Sequence, residues 1–330
     1  MPLISIITPS YNQAPYLEQA IRSVLEQGCP DLEYIVVDGG STDGSIEIIE
    51  RYAHHLAWWV SEPDSGQAEA INKGFERASG ELIAWLNSDD LYLPGAVNAA
   101  ADALESNPKL GMVFGDAITI NTHGQPLNRL TFGAWGLIEL MSFRIICQPA
   151  VFMRRSVLNE AGFLDPSYHY MLDHHLWVRL ARLAPIQHIP QTWAAARHHP
   201  AAKNVAQASG FGRETMRLLE WMQAQPDLAP MIDKNRAQIL GGAHRLNGRY
   251  LLDGGQPQDA LRAYALALRE RPSYALKHWH RMLYASLSLV GAGGLADGYD
   301  RLTSVRRSLQ PVLPDNPQLH NWPGINLNPD

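Results

Sequence analysis

The sequence predicts an α/β protein: a mixed, mainly parallel sheet with flanking helices, followed by a region built of helices alone. Three observations carry that expectation. Short apolar runs alternate with helix-periodic segments through the first third of the chain. Four of those runs end in polar or turn-forming clusters, three of which carry acids. Beyond residue 210 helical periodicity continues without strand-like runs. Strands separated by helices pair in parallel, because only a crossover returns the chain in the same direction.

The elements follow in order. "LISII" (Leu3 to Ile7) is a strand, and Leu17, Ala20, Ile21, Val24 and Leu25 mark one buried helix face. "LEYIVVD" (Leu32 to Asp38) is the second strand and Ser45 to Tyr52 the second helix. "LAWWVSE" (Leu56 to Glu62) precedes a helix lined by Ala68, Ile71, Phe75 and Ala78. "ELIAWL" (Glu81 to Leu86) is the fourth strand, Pro94 opens a helix at its first turn, and "LGMVFGD" (Leu110 to Asp116) is the fifth strand. Tyr170 to Leu183 reads as a helix with Leu172, Leu176, Leu180 and Leu183 near one face. These elements place one domain at residues 1–210 and a helical C-terminal region at 211–330. In that region Tyr250 to Ala275 has the form of one tetratricopeptide-like helical hairpin, read as packing on the main domain because solenoids need about three repeats. Leu276 to Val290 is amphipathic and expected to face a core, with a membrane interface as the alternative. The Pro- and Asn-rich end from Leu313 is expected as a loosely ordered tail.

Composition narrows the function classes. With 330 residues, 46% hydrophobic and 18% charged, the chain can bury a large core and is not globally disordered. A formal net charge of −6 argues against nucleic acid as the main partner. Cys29 and Cys147 read as reduced thiols. No basic leader precedes Leu3, and no stretch approaches the ~20 apolar residues of a membrane span. The expected location is cytoplasmic, with peripheral contact at the inner membrane face left open.

In parallel α/β sheets ligands sit beyond the carboxyl ends of the strands, so the strand-end residues are informative. They are Thr8 to Asn12, Asp38-Gly39-Gly40, Glu62-Pro63-Asp64 and Asn87-Ser88-Asp89-Asp90. Adjacent carboxylates at the tip of an apolar strand suit a hard divalent cation held with substrate phosphates; they also suit an N-cap for the helix near Pro94. Asp38 at its strand end could accept bonds from a nucleobase or ribose, although the turn after it is not GxGxxG. Asp173 early in its helix is either a cap or a base aimed at a hydroxyl. The neighbours His174 and His175 project about 100° apart and do not make a zinc pair. Arg197, His198, His199 and Lys203 form a basic loop that could clamp a diphosphate.

Taken together, "SIITPSYNQAPYLEQAIRSVLEQ", "YIVVDGGSTDGS", "EPDSGQAEAINKGFERASGELIAWLNSDD" and "GFLDPSYHYMLDHHLWVRL" resemble the family 2 glycosyltransferases of GT-A fold, above all bacterial members that build cell-surface polysaccharides. The resemblance covers residues 3 to about 205. It implies an inverting, metal-dependent transfer from a UDP-, GDP- or dTDP-sugar to the hydroxyl of a glycan or lipid-linked acceptor. By position, Thr8, Pro9, Tyr11 and Asn12 would line the nucleoside pocket, Asp38 would bind the base, and Asp64 and Lys73 would lie along the nucleotide. The metal motif falls on Asn87 to Asp90, with Asn87 in place of the first aspartate. Asn87 and Asp89 would touch the donor, and Asp89, Asp90 and His199 would hold Mg²⁺ or Mn²⁺. Asp173 takes the catalytic-base position. Arg197 and Lys203 would close over the diphosphate, and Gln148 and Trp177 would meet the acceptor. Two other classes compete: an inert nucleotide-sugar fold acting as an interaction module through its helical end, and a dehydrogenase, which the absent GxGxxG disfavours.

Overall fold

The computed structural model describes residues 2–199, 207–291, 318–319 and 322–327. The chain forms two compact units, one of Met1–Gly136, Ile146–His198 and Pro311–Asp330, the other of Leu137–Ile145 and His199–Gln310. This division differs from the continuous one at residue 210 that the periodicity suggests.

The first unit holds strands β1 (Ile4–Ser10), β2 (Leu32–Asp38), β3 (Trp58–Ser61), β4 (Leu82–Trp85), β5 (Leu91–Tyr92), β6 (Met112–Ile120), β7 (Pro126–Leu130), β8 (Val151–Arg154) and β9 (Ile186–Arg197). Its helices are α1 (Ala14–Leu25), α2 (Ser45–Tyr52), α3 (Gln67–Arg77), α4 (Ala96–Ser106), α6 (Arg155–Ala161) and α7 (Leu172–Leu183); α5 (Leu137–Met141) belongs to the second unit. The sheet order is β3-β2-β1-β4-β8-β6-β9-β5, with β7 hairpinned on β6. Strands β3, β2, β1 and β4 are parallel, β8 runs against both β4 and β6, and β9 returns parallel to β6. Every residue of β1 is buried, as expected of a central strand covered on both faces. Tyr34, Leu17, Ile21, Val24, Val113, Phe152 and Trp193 fill one of those faces. Strands β5, β7 and β9 are not signalled by alternation: β5 has two residues, and β9 carries Pro190 and register shifts against β6 around Asp116.

The end of the chain departs from a loose tail where it is described. Leu319 and Ile325 join Leu91, Leu93, Ile118 and Ile120 in a core cluster, and the Trp322 indole N–H donates to the Tyr92 carbonyl at 2.7 Å. A few well-spaced apolar residues suffice to seat it, which Pro- and Asn-rich composition hides.

The second unit is helical: α5, α8 (Ala208–Ala224), α9 (Ala229–Lys234), α10 (Arg236–Asp253), α11 (Pro257–Glu270), α12 (Pro272–Ala275) and α13 (Trp279–Leu289). Helices α10 and α11 form the expected hairpin, turning at Gly255 with φ +75°. Helix α13 meets a core cluster through Ala285, beside Leu252 and Ala260, and leaves part of its apolar surface open. Within it only Ala285 is buried, and Trp279 and Leu283 are about half exposed. Among the described residues no helix is long and apolar enough to cross a membrane.

His278 ties this unit together. The Arg245 guanidinium donates to its Nε2 at 3.3 Å, and Tyr264 Oη lies 3.5 Å from Nδ1. Because arginine only donates, Nε2 must be unprotonated and the imidazole neutral. Burial, then the charges of Arg245, Arg281 and Arg249, push the His278 pKa from 6.5 down to about 3. Folding with a depressed histidine pKa is favoured above the unfolded value and progressively lost as pH falls below it. The helical unit should therefore weaken between pH 6.5 and about 3. His278→Gln keeps an acceptor for Arg245 without a titratable group, and thermal unfolding from pH 7 to 4 should show a flatter acid limb for it.

Candidate active site

The ends of β1, β2 and β4 meet at one rim. The Gly39 N–H donates to the Ser10 carbonyl and the Leu86 N–H to the Ile7 carbonyl, both at 2.8 Å. The loops carrying Asp38 and Asn87 thus flank the end of β1. Loop 38–45 is bound to the start of α1 by a lattice: Asn12 N–H to Ser41 Oγ (2.8 Å), Thr42 N–H to Asn12 Oδ1 (2.9 Å) and Ala14 N–H to Asp43 Oδ2 (2.9 Å). Asn12 holds its place in this lattice at φ +51°. This wall is rigid because each loop supplies the other's missing partners.

Asp38 is 0% exposed, and its two oxygens accept from the Gly40 and Ser41 amides and the Ser41 and Ser61 hydroxyls. It organises the loop, and a base contact would require one of those donors to give way. Thr8 is equally inward: its hydroxyl lies 2.9 Å from Tyr34 Oη in the core, and Pro9 is buried. Tyr11, 61% exposed, is the open aromatic face at this rim. Asp64 sits against Gly39, where an added Cβ would lie 2.7 Å from Asp64 Oδ2, so only glycine lets the two loops close. The Lys73 ammonium is held 2.5 Å from Glu62 and lines, with Trp58, Val60 and Arg77, an open groove of about 570 Å³ beside β3.

The acidic loop is built around amides. Asn87 Oδ1 accepts from Gln67 Nε2 at 2.7 Å, and Asn87 Nδ2 donates to Gln148 Oε1 at 3.1 Å and Asp90 Oδ2 at 3.3 Å. Gln148 Nε2 then donates to the Trp85 carbonyl at 2.8 Å. An aspartate at 87 would turn two of these bonds into repulsions between acceptors, which explains the asparagine. Gln148, expected at the acceptor, is instead spent holding Asn87. Asp90 is 6% exposed, and its Oδ1 accepts from the Arg197 N–H at 2.9 Å. Burial first, then the neighbouring Asp89 charge, raises its pKa well above the usual carboxylate range. The capping alternative does not hold: α4 starts at Ala96 after Gly95 in the left-handed region, with no side-chain cap.

Arg197 corrects the expected diphosphate clamp. It is 5% exposed, donating through Nε to the Asp89 carbonyl (2.9 Å), through Nη1 to Asn121 (3.1 Å) and Thr122 (3.4 Å) carbonyls, and through Nη2 to Gln19 Oε1 (2.8 Å). The guanidinium also stacks 4.7 Å over the Tyr16 ring. Its role is to fasten the acidic loop to α1 and the β6–β7 turn. His199 is buried at the start of the second unit, and Lys203 lies outside the described residues.

Asp173 lies half-buried in the first turn of α7. Burial raises the pKa of the Cys147 thiol, and the charges of Asp90 and then Asp173 raise it further, so both carboxylates lie within electrostatic reach of this sulfur. Trp177, one turn after Asp173, is fully buried and stacks on Trp85 at 5.1 Å and 25°. It does not reach an acceptor; it pins α7 to β4, and with it Asp173 to the acidic loop. Among the described residues no three His, Cys, Asp or Glu side chains form a metal cluster. Sequence reading missed Gln19, Gln67 and Ser61, whose only signal is proximity to the motifs.

Arg197→Met should lower unfolding stability by about 2–4 kcal/mol, because it strands several buried acceptors. Arg197→Lys, with a point charge for a fork, should recover only part of it. Urea unfolding checks this; unchanged stability with weakened donor binding alone would restore the clamp.

Residues 5–162 match the family model described as "Glycosyl transferase family 2". A PGL/p-HBAD biosynthesis glycosyltransferase of Mycobacterium tuberculosis is 31% identical over 182 residues, 54% of this chain and 69% of that protein. The chondroitin synthase of Escherichia coli is 29% identical over 192 residues, 57% of this chain but only 28% of its own length. Among solved structures, S. aureus TarS 1–349 in complex with UDP-GlcNAc superposes with a TM-score of 0.61 at 17% identity, covering 91% of this chain and 92% of that one. The mannosyltransferase PcManGT of Pyrobaculum calidifontis, in complex with GDP-Man and Mn2+, gives 0.59 at 20% identity, covering 93% and 87%. At such identities the structures establish the fold, and the sequence relatives establish kinship. With strand ends arranged as described and these matches across its first half, the chain belongs to glycosyl transferase family 2, on a GT-A scaffold.

Proposed function

We propose that this glycosyltransferase moves a sugar from a nucleoside-diphosphate donor to an acceptor hydroxyl with inversion, in building cell-surface polysaccharide or a related glycan. The observation that carries the reading is the build of the acidic loop, with Asp90 held by Arg197 and Asn87 and the Trp85–Trp177 stack setting the helix of Asp173 against β4, at the rim that also holds Asp64 and Tyr11. The nucleotide-sugars bound by TarS and PcManGT support the donor class, with UDP-, GDP- and dTDP-sugars all open.

The donor set fits a divalent cation. Asp89 and Asp90 carry hard oxygen donors at the tip of one strand, the ligand type a divalent cation takes together with substrate phosphates. Asp89, half-buried, would hold Mg²⁺ or Mn²⁺ directly, while Asp90 and Arg197 fix the loop beneath it. Such an ion supplies neutralisation of charge gathering on the leaving diphosphate. His199 and Lys203 are assigned to that diphosphate by sequence position alone.

The chain's own residues then define one displacement. The acceptor oxygen attacks the anomeric carbon, the bond from that carbon to the diphosphate oxygen breaks with its electron pair, and Asp173 takes the acceptor proton. Asp173 suits this role better than Asp90, which is buried and bonded to Arg197 and Asn87. Tyr11 offers a stacking face for the base. General-base help is worth ~10²–10⁴-fold. Asp173→Asn should therefore lose transfer by that order while Mn²⁺-dependent thermal shifts with nucleoside diphosphates persist. Near-normal transfer by the variant overturns the base assignment. No shift and no hydrolysis with any UDP-, GDP- or dTDP-sugar favours the inert module.

A further inference from the structure

The helical unit carries a surface that catalysis does not use. Leu276 (56% exposed), Trp279 (51%), Leu283 (50%) and Val290 (75%) recur at helical spacing and form one stripe. Fourteen positions at 1.5 Å each make it about 21 Å long. Large apolar side chains in a continuous line call for a cover; single ones would not.

Charge indicates what the cover is. Residues 199–310 contain 15 Lys and Arg against nine Asp and Glu, a formal +6, whereas the rest of the chain has 12 against 24, a formal −12. Most of the excess falls in the sequence segment that carries the stripe. From Arg236 to Gly291 eight basic residues face three acids, and the acids are already engaged: Asp253 by Arg281 (2.5 Å) and Arg249 (3.7 Å), Glu270 by Arg269 (3.4 Å) and Arg236 (3.9 Å), Asp259 by Arg262 (2.9 Å). Lys277 is exposed beside the stripe. An apolar helix face within a net-positive surface, on an otherwise acidic chain, complements an anionic lipid headgroup layer over acyl chains. A second copy would bring like charge against like charge.

We infer that this unit docks on anionic lipid through the stripe of Leu276, Trp279, Leu283 and Val290, which runs along α13 and the residues flanking it. Insertion of the apolar stripe and attraction by the basic surround act together, so both should be measurable separately.

The test is co-sedimentation of the full chain with phosphatidylglycerol/phosphatidylcholine (1:1) vesicles and with phosphatidylcholine vesicles. Binding should be confined to the anionic vesicles and weaken as NaCl is raised. Trp279→Ser combined with Leu283→Ser should lower the partition coefficient by about tenfold or more while leaving the circular dichroism and melting temperature unchanged, since both side chains are half exposed. Lys277→Glu should weaken binding and reduce its salt dependence. Absent binding, equal binding to neutral vesicles, or binding that survives the double substitution overturns the inference. So does a concentration-dependent dimer abolished by the double substitution, which assigns the stripe to a second copy, or a lowered melting temperature, which assigns it to the chain's own fold. Vesicle binding needs no turnover, so its result is independent of the proposed chemistry.

Discussion

Arg197 bonded to the acidic loop is the interaction on which the site depends. Asp90 is a buried carboxylate beside another carboxylate, an arrangement that water-accessible surfaces tolerate and interiors do not. The Arg197 amide meets one oxygen, the Asn87 amide the other, and the Arg197 guanidinium takes the Asp89 carbonyl between them. The remaining N–H groups reach Gln19 on α1 and the 121–122 turn, so three segments remote in sequence are fixed to one planar fork. Without that fork the Asp89 carbonyl loses its tie to Gln19 and the 121–122 turn, while Asn87 stays bonded to Gln67 and Gln148.

The rest of the rim follows from this restraint. Asn87 must be an amide, because its partners are an acid on one side and glutamine oxygens and nitrogens on the others. Through Gln148 and the Trp85 carbonyl the loop is joined to β8, and through the Trp85–Trp177 stack to α7. The helix that carries Asp173 is thereby placed by packing of large aromatic surface, which is stiffer than a salt bridge across a solvated cleft. The position proposed for Asp173 is in this way a consequence of core packing.

Much of the fold was legible because β1, β2 and β4 are mostly buried and read as mainly apolar runs. Strands β5, β7 and β9 were not: they pair through irregular registers or a two-residue bridge, and their identity depends on partners far away in sequence. The acids of the rim were legible from topology, since parallel sheets expose their carboxyl ends. What those acids touch was not, because hydrogen-bond partners such as Gln19 for Arg197 lie 178 positions apart. The exposed face of α13 escaped for a related reason: periodicity reports that a stripe exists, and only neighbours decide whether it is covered.

A pattern emerges among the residues placed by kinship. Thr8, Asp38, Trp177 and Arg197 are buried, each satisfied or packed by the chain itself. Tyr11, Asn12, Asp64, Asp89 and Asp173 keep exposure. A buried side chain that contacts a ligand must first be released by its partner, at a cost of roughly 1–3 kcal/mol per stranded group, and that cost falls as exposure rises. The energetic division therefore falls within the motifs rather than between them: in each, one member builds the wall and its neighbour faces the cleft. Asp90 with Asp89 and Trp177 with Asp173 are two instances, and this is why near neighbours in the same motif should respond so differently to substitution.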